Sequence, residues 1–295
     1  MSNSIYINPD NHNFRDIARG LTVVENNLQG SAELLRNLKF TKAAPIVGIT
    51  GPPGAGKSTL VNSLIDLLLA DGSKIAVLAI DPTSPFNFGS LLGDRIRMAS
   101  HFNSPNVFIR SLATRGSLGG LSAKTIEMTD VLRASGFDYV LIETVGVGQS
   151  EIEIAGLADI TLVVLVPEAG DEIQHIKSGL MEIADAFIIN KADRADADVF
   201  ANNLKKIIGQ NQGEQPPVFK TIASQAGGIH EIANFIKSPP KTQHSRRELL
   251  LTEKAYKLIQ QKLMQRIDKK KLQHDVTEAL KDEKFNLYSF VDTYV

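Results

Sequence analysis

The stretch GPPGAGKSTL, residues 51–60, follows the apolar run PIVGIT, residues 45–50, and decides how the chain folds. It fits the pattern G-x-x-x-x-G-K-[ST], with a strand-like segment before it and a helix-like segment after it. Glycines let backbone N–H groups turn inward around phosphate oxygens, and the N-terminus of the following helix adds a partial positive charge. The alternative is a glycine- and proline-rich turn that happens to precede a helix. The order of strand, loop, Lys-Ser-Thr and helix favours a polyphosphate-binding loop.

The residues of this loop have separate predicted roles. Lys57 would reach the β- and γ-phosphates, which also makes it a candidate catalytic residue, and the Ser58 hydroxyl would ligate Mg²⁺. The predicted nucleotide contacts cover the whole loop: Gly51, Pro52, Pro53, Gly54, Ala55, Gly56, Lys57, Ser58 and Thr59.

The bulk composition excludes several classes of protein. The chain has 295 residues, 43% of them hydrophobic, so it can build a substantial core. A formal net charge of -1 argues against a nucleic-acid binder that works through a general positive field. Cysteine is absent, which excludes disulfides and thiolate metal sites. We expect neither a targeting segment nor a membrane span, and therefore a cytoplasmic protein without a membrane partner.

The hydrophobic pattern predicts an α/β fold. Short, nearly continuous apolar runs predict strands buried on both faces, at 45–50, 74–81, 106–111, 138–143, 160–166, 186–190 and 217–222. Helical periodicity separates most of them, at 57–71, 121–135, 172–184, 196–209 and 228–237. This alternation predicts a doubly wound, mostly parallel α/β sheet.

Helical extensions are predicted at both ends of this sheet. We predict an N-terminal helical extension over 1–42 with a break at Gly30, a nucleotide-binding domain over 43–238, and a C-terminal helical segment over 239–295. A polar linker is expected at 237–247. The apolar stripe of the C-terminal segment packs either on the domain or against a second copy; it comprises Tyr256, Ile259, Leu263, Met264 and Ile267.

A second motif predicts that the base is guanine. IINKAD, residues 188–193, ends a predicted strand and contains the pattern N-K-x-D at Asn190, Lys191 and Asp193. A carboxylate only accepts hydrogen bonds, so Asp193 can pair with N1–H and the exocyclic amine of guanine, whereas adenine would leave it unpaired. The Lys191 stem can lie along the base. Asp193 could alternatively cap the next helix.

A third loop is assigned to the base from its position after the last predicted strand. Other GTPases place a Ser-Ala pair there, whose backbone contacts guanine O6. The order here is Ala223, Ser224 and Gln225, so the pair is inverted.

Three acidic residues are candidate magnesium ligands. Glu143 closes the strand DYVLIE, Asp81 closes VLAID, and Asp94 lies in GSLLGDRIRM. Each could instead be a helix N-cap. Gly146 can offer its N–H to the γ-phosphate, and Lys177 is the candidate cation that stabilises hydrolysis, or else a solvated helix lysine.

Taken in order, the segments GPPGAGKSTL, AIDPTSP, GDRIRM, ETVGVGQSE and NKAD closely resemble the MeaB/ArgK group of GTPases. The resemblance runs from about residue 12 to residue 237 and implies a P-loop GTPase with helical extensions. Members accompany the adenosylcobalamin-dependent methylmalonyl-CoA mutase, gate the loading of its cofactor, and protect or reactivate it. The resemblance further implies a homodimer, a GTPase activity stimulated by the partner, and adenosylcobalamin held only by that partner.

The resemblance also implies roles for single residues. Asp81, Asp94 and Glu143 would surround Mg²⁺ and the attacking water, so that Asp94 is a catalytic candidate, and Lys177 would belong to a third switch loop. The inverted Ala-Ser order and the tail after residue 240 depart from the family pattern.

Two other functions compete with this one. A metallochaperone GTPase would carry a histidine- or cysteine-rich metal site, whereas the histidines here are scattered and cysteine is absent. A P-loop small-molecule kinase would use ATP and need an acceptor pocket.

Overall fold

The structure is a computed structural model of the chain. It describes residues 13–40, 43–81, 98–113, 122–144, 154–167, 180–209, 215–238, 244–282 and 284–294.

A seven-stranded parallel sheet forms the centre of the described fold, as the sequence predicted. Its strands, β1 to β7 in chain order, are Ile46–Thr50, Ile75–Asp81, Val107–Ala113, Tyr139–Thr144, Ile160–Leu165, Ala186–Ile189 and Val218–Lys220. The spatial order is β3-β2-β4-β1-β5-β6-β7, and each neighbouring pair is parallel. Every residue of β1, β5 and β6 is buried, which explains why these strands read as continuous apolar runs.

The described α-helices are named α1 to α10 in chain order. They are Phe14–Glu25, Ser31–Arg36, Lys57–Ala70, Ala123–Arg133, Leu180–Ile183, Ala197–Ile208, Ile229–Lys237, His244–Met264, Lys269–Ala279 and Leu287–Asp292. Three short 3-10 turns lie at Ala99–His101, Ile154–Gly156 and Ala223–Gln225. None of the helices in these ranges combines the length and apolar character needed to span a lipid bilayer.

Helix α3 is the main support of the site because it follows the phosphate loop and packs directly under the sheet. Its buried apolar residues contribute to the main hydrophobic core; they are Leu60, Val61, Leu64, Ile65 and Leu68. A helix held on one face by this much apolar surface keeps its first turn fixed against β1.

The predicted N-terminal break is confirmed, and the predicted linker is partly wrong. Gly30 has φ 91° and precedes α2, so a left-handed residue separates α1 from α2. Lys237 is still the last residue of α7, and α8 begins at His244.

The chain divides into two compact units, residues 1–254 and 255–295. The first contains the sheet. In the second, α9 and α10 bury no residue, and Phe290 contacts the rings of Phe285 and Tyr294. The domain boundaries at 42/43 and 238/239 stay predictions.

Candidate nucleotide-binding site

The loop between β1 and α3 has a backbone that only glycine fits at two positions. Gly51 has φ 138°, and a Cβ atom there would lie 2.0 Å from the carbonyl oxygen of Val164 on β5. Gly56 has φ 86°, and a Cβ atom there would lie 2.3 Å from Nδ2 of Asn190. Both conformations are costly for residues with a side chain. The loop is therefore pressed closely against β5 and the N-K-x-D segment.

Lys57 directs its ammonium group back into this loop. Its side chain is buried, and Nζ donates to the carbonyl oxygens of Gly51 at 2.8 Å and Pro52 at 2.9 Å. These two acceptors hold a positive charge at the mouth of the loop. The charge lies beside the N-terminus of α3, so the two positive features reinforce each other.

Ser58 and Glu143 meet next to this charge. The Ser58 hydroxyl donates to Oε1 of Glu143 at 2.5 Å, and both residues are buried. The sheet makes the contact possible because Glu143 on β4 is paired in register with Ile49 on β1, just before the loop. A hydroxyl and a carboxylate oxygen side by side are the hard donors that Mg²⁺ prefers, so this pair fits the predicted metal.

The other predicted metal ligands are described less fully. Asp81 is the last residue of β2, two residues beyond the register pair Ala79 and Glu143, so its backbone ends at the same edge of the sheet. The Asp81 side chain lies outside the described part of the structure, as does all of Asp94. Within the described ranges no group of three or more His, Asp or Glu side chains is close enough together to hold a metal ion.

Asn190 joins three parts of the site through one buried side chain. Its Nδ2 donates to the carbonyl oxygen of Ala55 at 2.9 Å, which ties it to the phosphate loop. Its Oδ1 accepts from Oγ1 of Thr221 and from the backbone N–H of Ala223, both at 3.1 Å. Asn190 therefore connects the phosphate loop to the base loop, and both the nitrogen and the oxygen of its side-chain amide form hydrogen bonds.

Lys191 and Asp193 follow Asn190 in the N-K-x-D segment. Lys191 has φ 57°, and its Nζ donates to the carbonyl oxygen of Gly54 at 2.8 Å. Asp193 is exposed, and its side chain makes no hydrogen bond or ion pair with the described residues. It is not the N-cap of α6, because that position belongs to Asp196. The carboxylate of Asp193 is therefore available for a ligand.

The loop Ala223–Gln225 forms a 3-10 turn directly beside Asn190. Its first residue is fixed at both ends, because Ala223 N donates to Asn190 and Ala223 O accepts from the Ser63 hydroxyl at 2.7 Å. Ser224 and Gln225 are exposed. Sequence reasoning missed Ser63 and Thr221; a hydroxyl on the same face of α3 as the core, one turn past Thr59, was the available signal for Ser63.

Two predicted residues lie outside the described residues: Gly146, assigned to the γ-phosphate, and Lys177, assigned to hydrolysis. The structure brings together the remaining phosphate and base residues at the carboxyl ends of β1, β4 and β6. This edge is where ligands bind in doubly wound parallel sheets.

Comparison with known proteins gives one family for most of the chain. The profile of the family described as "Methylmalonyl Co-A mutase-associated GTPase MeaB" matches residues 17–280. A Pyrococcus abyssi protein provisionally named a GTPase is 51% identical over 230 residues, 76% of this chain and 71% of its own length. GTPase ArgK of Escherichia coli is 41% identical over 197 residues, 64% of this chain and 60% of its own length.

Other comparisons concern a mammalian relative and the fold. The mouse protein named "Methylmalonic aciduria type A homolog, mitochondrial" is 40% identical over 194 residues, 63% of this chain and 46% of its own length. The crystal structure of a protein called LAO/AO transport system kinase superimposes with a TM-score of 0.67 at 25% identity, covering 97% of this chain and 93% of that one. HypB from Helicobacter pylori in complex with nickel, at 22% identity and TM-score 0.51 over 75% of this chain and 94% of its own, shares the fold alone.

The phosphate loop, the N-K-x-D segment and the parallel sheet that joins them are the features expected of a P-loop GTPase. The chain is a P-loop GTPase of the MeaB family.

Proposed function

We propose that this GTPase serves an adenosylcobalamin-dependent methylmalonyl-CoA mutase, for which it gates cofactor loading and which it protects or reactivates. The observation that carries the proposal is the match to the mutase-associated family over residues 17–280, which includes the tail as well as the sheet. The name of the mouse relative supports the same client. In this proposal the mutase holds the adenosylcobalamin, and both proteins occupy the cytoplasm.

The proposed phosphate site is the loop Gly51–Thr59. Its inward N–H groups and the N-terminus of α3 would surround the phosphates, with the Lys57 ammonium adding a full positive charge. The contacts of Nζ with Gly51 and Pro52 already place that charge inside the loop. Less reorganisation is then needed when a polyphosphate binds, which favours both binding and charge stabilisation during hydrolysis.

The proposed metal site combines Ser58 and Glu143 with Asp81 and Asp94. A bound Mg²⁺ would neutralise charge on the phosphate oxygens. Glu143 would also orient Ser58. Because the Ser58 hydroxyl donates its hydrogen bond to Glu143, the lone pairs of the Ser58 oxygen point away from Glu143 and are available to the metal. Asp94, with Lys177, would act on the water and the transferred phosphoryl group.

The proposed base site pairs Asp193 with guanine, with the Lys191 stem along the base and the loop Ala223–Gln225 near the guanine carbonyl. Asn190 supports the proposal because it fixes the base loop relative to the phosphate loop. A nucleotide that fits the phosphate loop then presents its base at a defined position. Adenine at that position would leave the Asp193 carboxylate unpaired.

We also propose that the protein is a homodimer held by its tail. The apolar stripe of α8 supports this, because Tyr256, Ile259 and Leu263 are 64%, 56% and 53% exposed. An exposed apolar stripe at helical spacing is typical of an interaction face. Sedimentation of the full chain would test it, with a sharp shift to monomer expected in Ile259→Glu and Leu263→Glu.

The test of the client assignment is GTP turnover by the full chain, with and without a purified methylmalonyl-CoA mutase. We expect slow turnover alone and a marked acceleration with the mutase. Lys57→Ala is the matched variant, since it should abolish turnover while keeping the tail intact. A mutase that neither binds the chain nor changes its turnover would eliminate this client.

A further inference from the structure

A cavity lies at the amino-terminal edge of the sheet, opposite the edge that carries the nucleotide site. It has a volume of about 340 Å³ and is bounded by the end of α4, the segment before β5, and the first half of α8. Its position follows from two contacts: Asp159 Oδ2 accepts from the backbone N–H of Ile46, the first residue of β1, and Ala44 N donates to Arg133 O. Phe40, Leu157 and Leu251 supply apolar walls.

Four charged residues line this cavity: Asp130, Arg133, Asp159 and Lys254. They differ in how closely they approach a partner of opposite charge. Arg133 and Asp159 form an ion pair at 3.2 Å, and Asp159 also accepts the Ile46 hydrogen bond. Lys254 donates only one long hydrogen bond, 3.3 Å from Nζ to the carbonyl oxygen of Leu157, and forms no ion pair with the described residues. Lys254 therefore lines the cavity without a close anionic partner among the described residues.

The surroundings of Lys254 favour its neutral form. Burial is the largest influence and lowers the pKa of the Lys254 amine; Asp130 and Asp159 oppose this, while Arg133 adds to it. Burial likewise raises the pKa of the Asp130 carboxyl, against the attraction of Lys254 and Arg133. A larger share of Lys254 is then an unprotonated amine than for a solvated lysine.

We propose that Lys254 is a modification site that accepts small acyl groups from activated acyl donors, chiefly acyl thioesters, which enter the adjoining cavity. Two geometric features carry the proposal: Lys254 and Leu157 both line the cavity, and the single hydrogen bond that Nζ makes with the described residues, to the Leu157 carbonyl oxygen, is long at 3.3 Å. The proposal does not depend on the mutase or on GTP turnover.

The reaction balances without an oxidant or a reductant. The neutral Nζ attacks the thioester carbonyl carbon, so that a C–N bond forms and the C–S bond breaks. The thiolate leaves and takes up the proton that the nitrogen loses, giving an amide on Lys254 and a free thiol. Relative to the protonated form of Lys254, the amide lacks one positive charge, so the acylated residue no longer attracts the Asp130 carboxyl.

The charges of the cavity predict which acyl groups react. Asp130 and Asp159 both face the cavity, so a neutral acyl group such as acetyl meets no charge repulsion. An acyl group that carries its own carboxylate would be repelled by Asp130, whereas the charge of Asp159 is compensated by its ion pair with Arg133. Lys254 should therefore prefer acetyl thioesters to succinyl thioesters, relative to an exposed lysine of the same chain.

The experiment compares Lys254 with Lys262, an exposed lysine of the same helix. The full chain is incubated with acetyl-CoA, digested with a protease that cleaves after glutamate, and both sites are quantified by mass spectrometry. We expect Lys254 to be acetylated at least about threefold faster than Lys262, with the ratio falling to about one in denaturant. A native ratio of about one or below would overturn the proposal.

Two further arms sharpen the result. Asp130→Asn should raise the ratio, because Asp130 favours the charged ammonium form of Lys254; a fall in the ratio would contradict the electrostatic argument. Succinyl-CoA should give a lower ratio than acetyl-CoA. An equal or higher ratio would show that the cavity charges do not select the acyl group.

Discussion

Asn190 donates a hydrogen bond to the carbonyl oxygen of Ala55, 2.9 Å away, and so connects the base segment to the phosphate loop. The same side chain accepts from Thr221 and Ala223. We therefore expect Asn190→Ala to lower the free energy of unfolding by about 2–4 kcal/mol, since it leaves buried polar partners unsatisfied.

The same variant should weaken GTP binding by more than about tenfold, since roughly 1.4 kcal/mol corresponds to one decade of affinity. Denaturant unfolding and binding of a fluorescent guanine nucleotide measure the two effects. Asn203→Ala, at an exposed position on α6, is the control and should change stability by no more than about 0.5 kcal/mol. Similar losses in both variants would contradict a linking role for Asn190.

The contact between Gly56 and Asn190 predicts a difference between two glycine substitutions. Gly54 and Gly56 both have positive φ, 77° and 86°, but a Cβ atom on Gly54 meets nothing within 4 Å. Gly54→Ala should therefore cost only the left-handed backbone penalty, about 1–2 kcal/mol. Gly56→Ala adds a clash with Asn190, and its loss in nucleotide-free thermal unfolding should be clearly larger. Equal losses would indicate that the clash is relieved at no cost.

The fold could be predicted from the sequence because its strands are apolar on both faces and its helices are not. The strand β5 is buried at every position, whereas α6 buries only one side. The strand therefore reads as a continuous apolar run and the helix as a pattern that repeats every 3–4 residues. The boundaries were less predictable: the last strand was expected over 217–222 but covers Val218–Lys220. Thr221 still donates its backbone N–H to Ile189 on β6, and the strand ends there because the next residue, Ile222, pairs with Gly227 instead.

The residue types of the site could be predicted from the sequence, but the hydrogen bonds between them could not. Lys57, Ser58 and Asn190 stand in short local motifs, so their order in the chain identifies them. The bond between Ser63 and Ala223 joins positions 160 residues apart. The place of Ser63 on α3 indicates a hydroxyl near the core, but no local pattern identifies Ala223 as its partner. Contacts of this kind depend on how α3 lies against the sheet, which only tertiary packing determines.

Ser63 offers a test of that unpredicted contact. Its hydroxyl donates to Ala223 O at 2.7 Å. Ser63→Ala should therefore lower the free energy that holds the base loop in its bound position by about 1 kcal/mol. We expect a loss in GTP affinity of about fivefold. Inosine triphosphate and GTP should be affected alike, because Ser63 positions the backbone and not the 2-amino group.

The matched control for Ser63 is Thr22→Ala, whose hydroxyl donates within its own helix to Ala18 O at 2.9 Å. This variant should leave nucleotide affinity unchanged. If Ser63→Ala also leaves it unchanged, the contact stabilises α3 without positioning the base loop.

Asp193 provides the test of base selection. Asp193→Asn replaces two acceptors by one acceptor and one donor, which mismatches guanine and matches xanthine, whose 2-position carries an oxygen. We expect GTP affinity to fall by at least about a hundredfold and xanthosine triphosphate to bind better than GTP. Competition binding measures both. ATP that competes as well as GTP in the unaltered protein would refute the assignment of Asp193 to guanine.

The half-buried carboxyl group of Asp130 predicts a dependence of stability on pH. Burial raises its pKa above 3.8, so the folded protein binds more protons than the unfolded chain between 3.8 and the folded pKa. The contribution of Asp130 to stability is then greatest in acid and falls as the pH rises through that window. The unfolding free energy of the unaltered protein minus that of Asp130→Asn should therefore decrease as the pH rises above 3.8 and through the folded pKa.

Asp198→Asn is the control of opposite sign for this measurement. The pKa of the exposed Asp198 carboxyl is lowered, first of all by its hydrogen bond from Lys220, 2.7 Å from Nζ to Oδ1. Its contribution is present above 3.8 and is lost as the pH falls through the folded pKa, so the corresponding difference should increase with pH. Urea titrations at a series of pH values measure both differences. Slopes of the same sign would mean that Asp130 is more solvated in solution than its place at the wall of the cavity indicates.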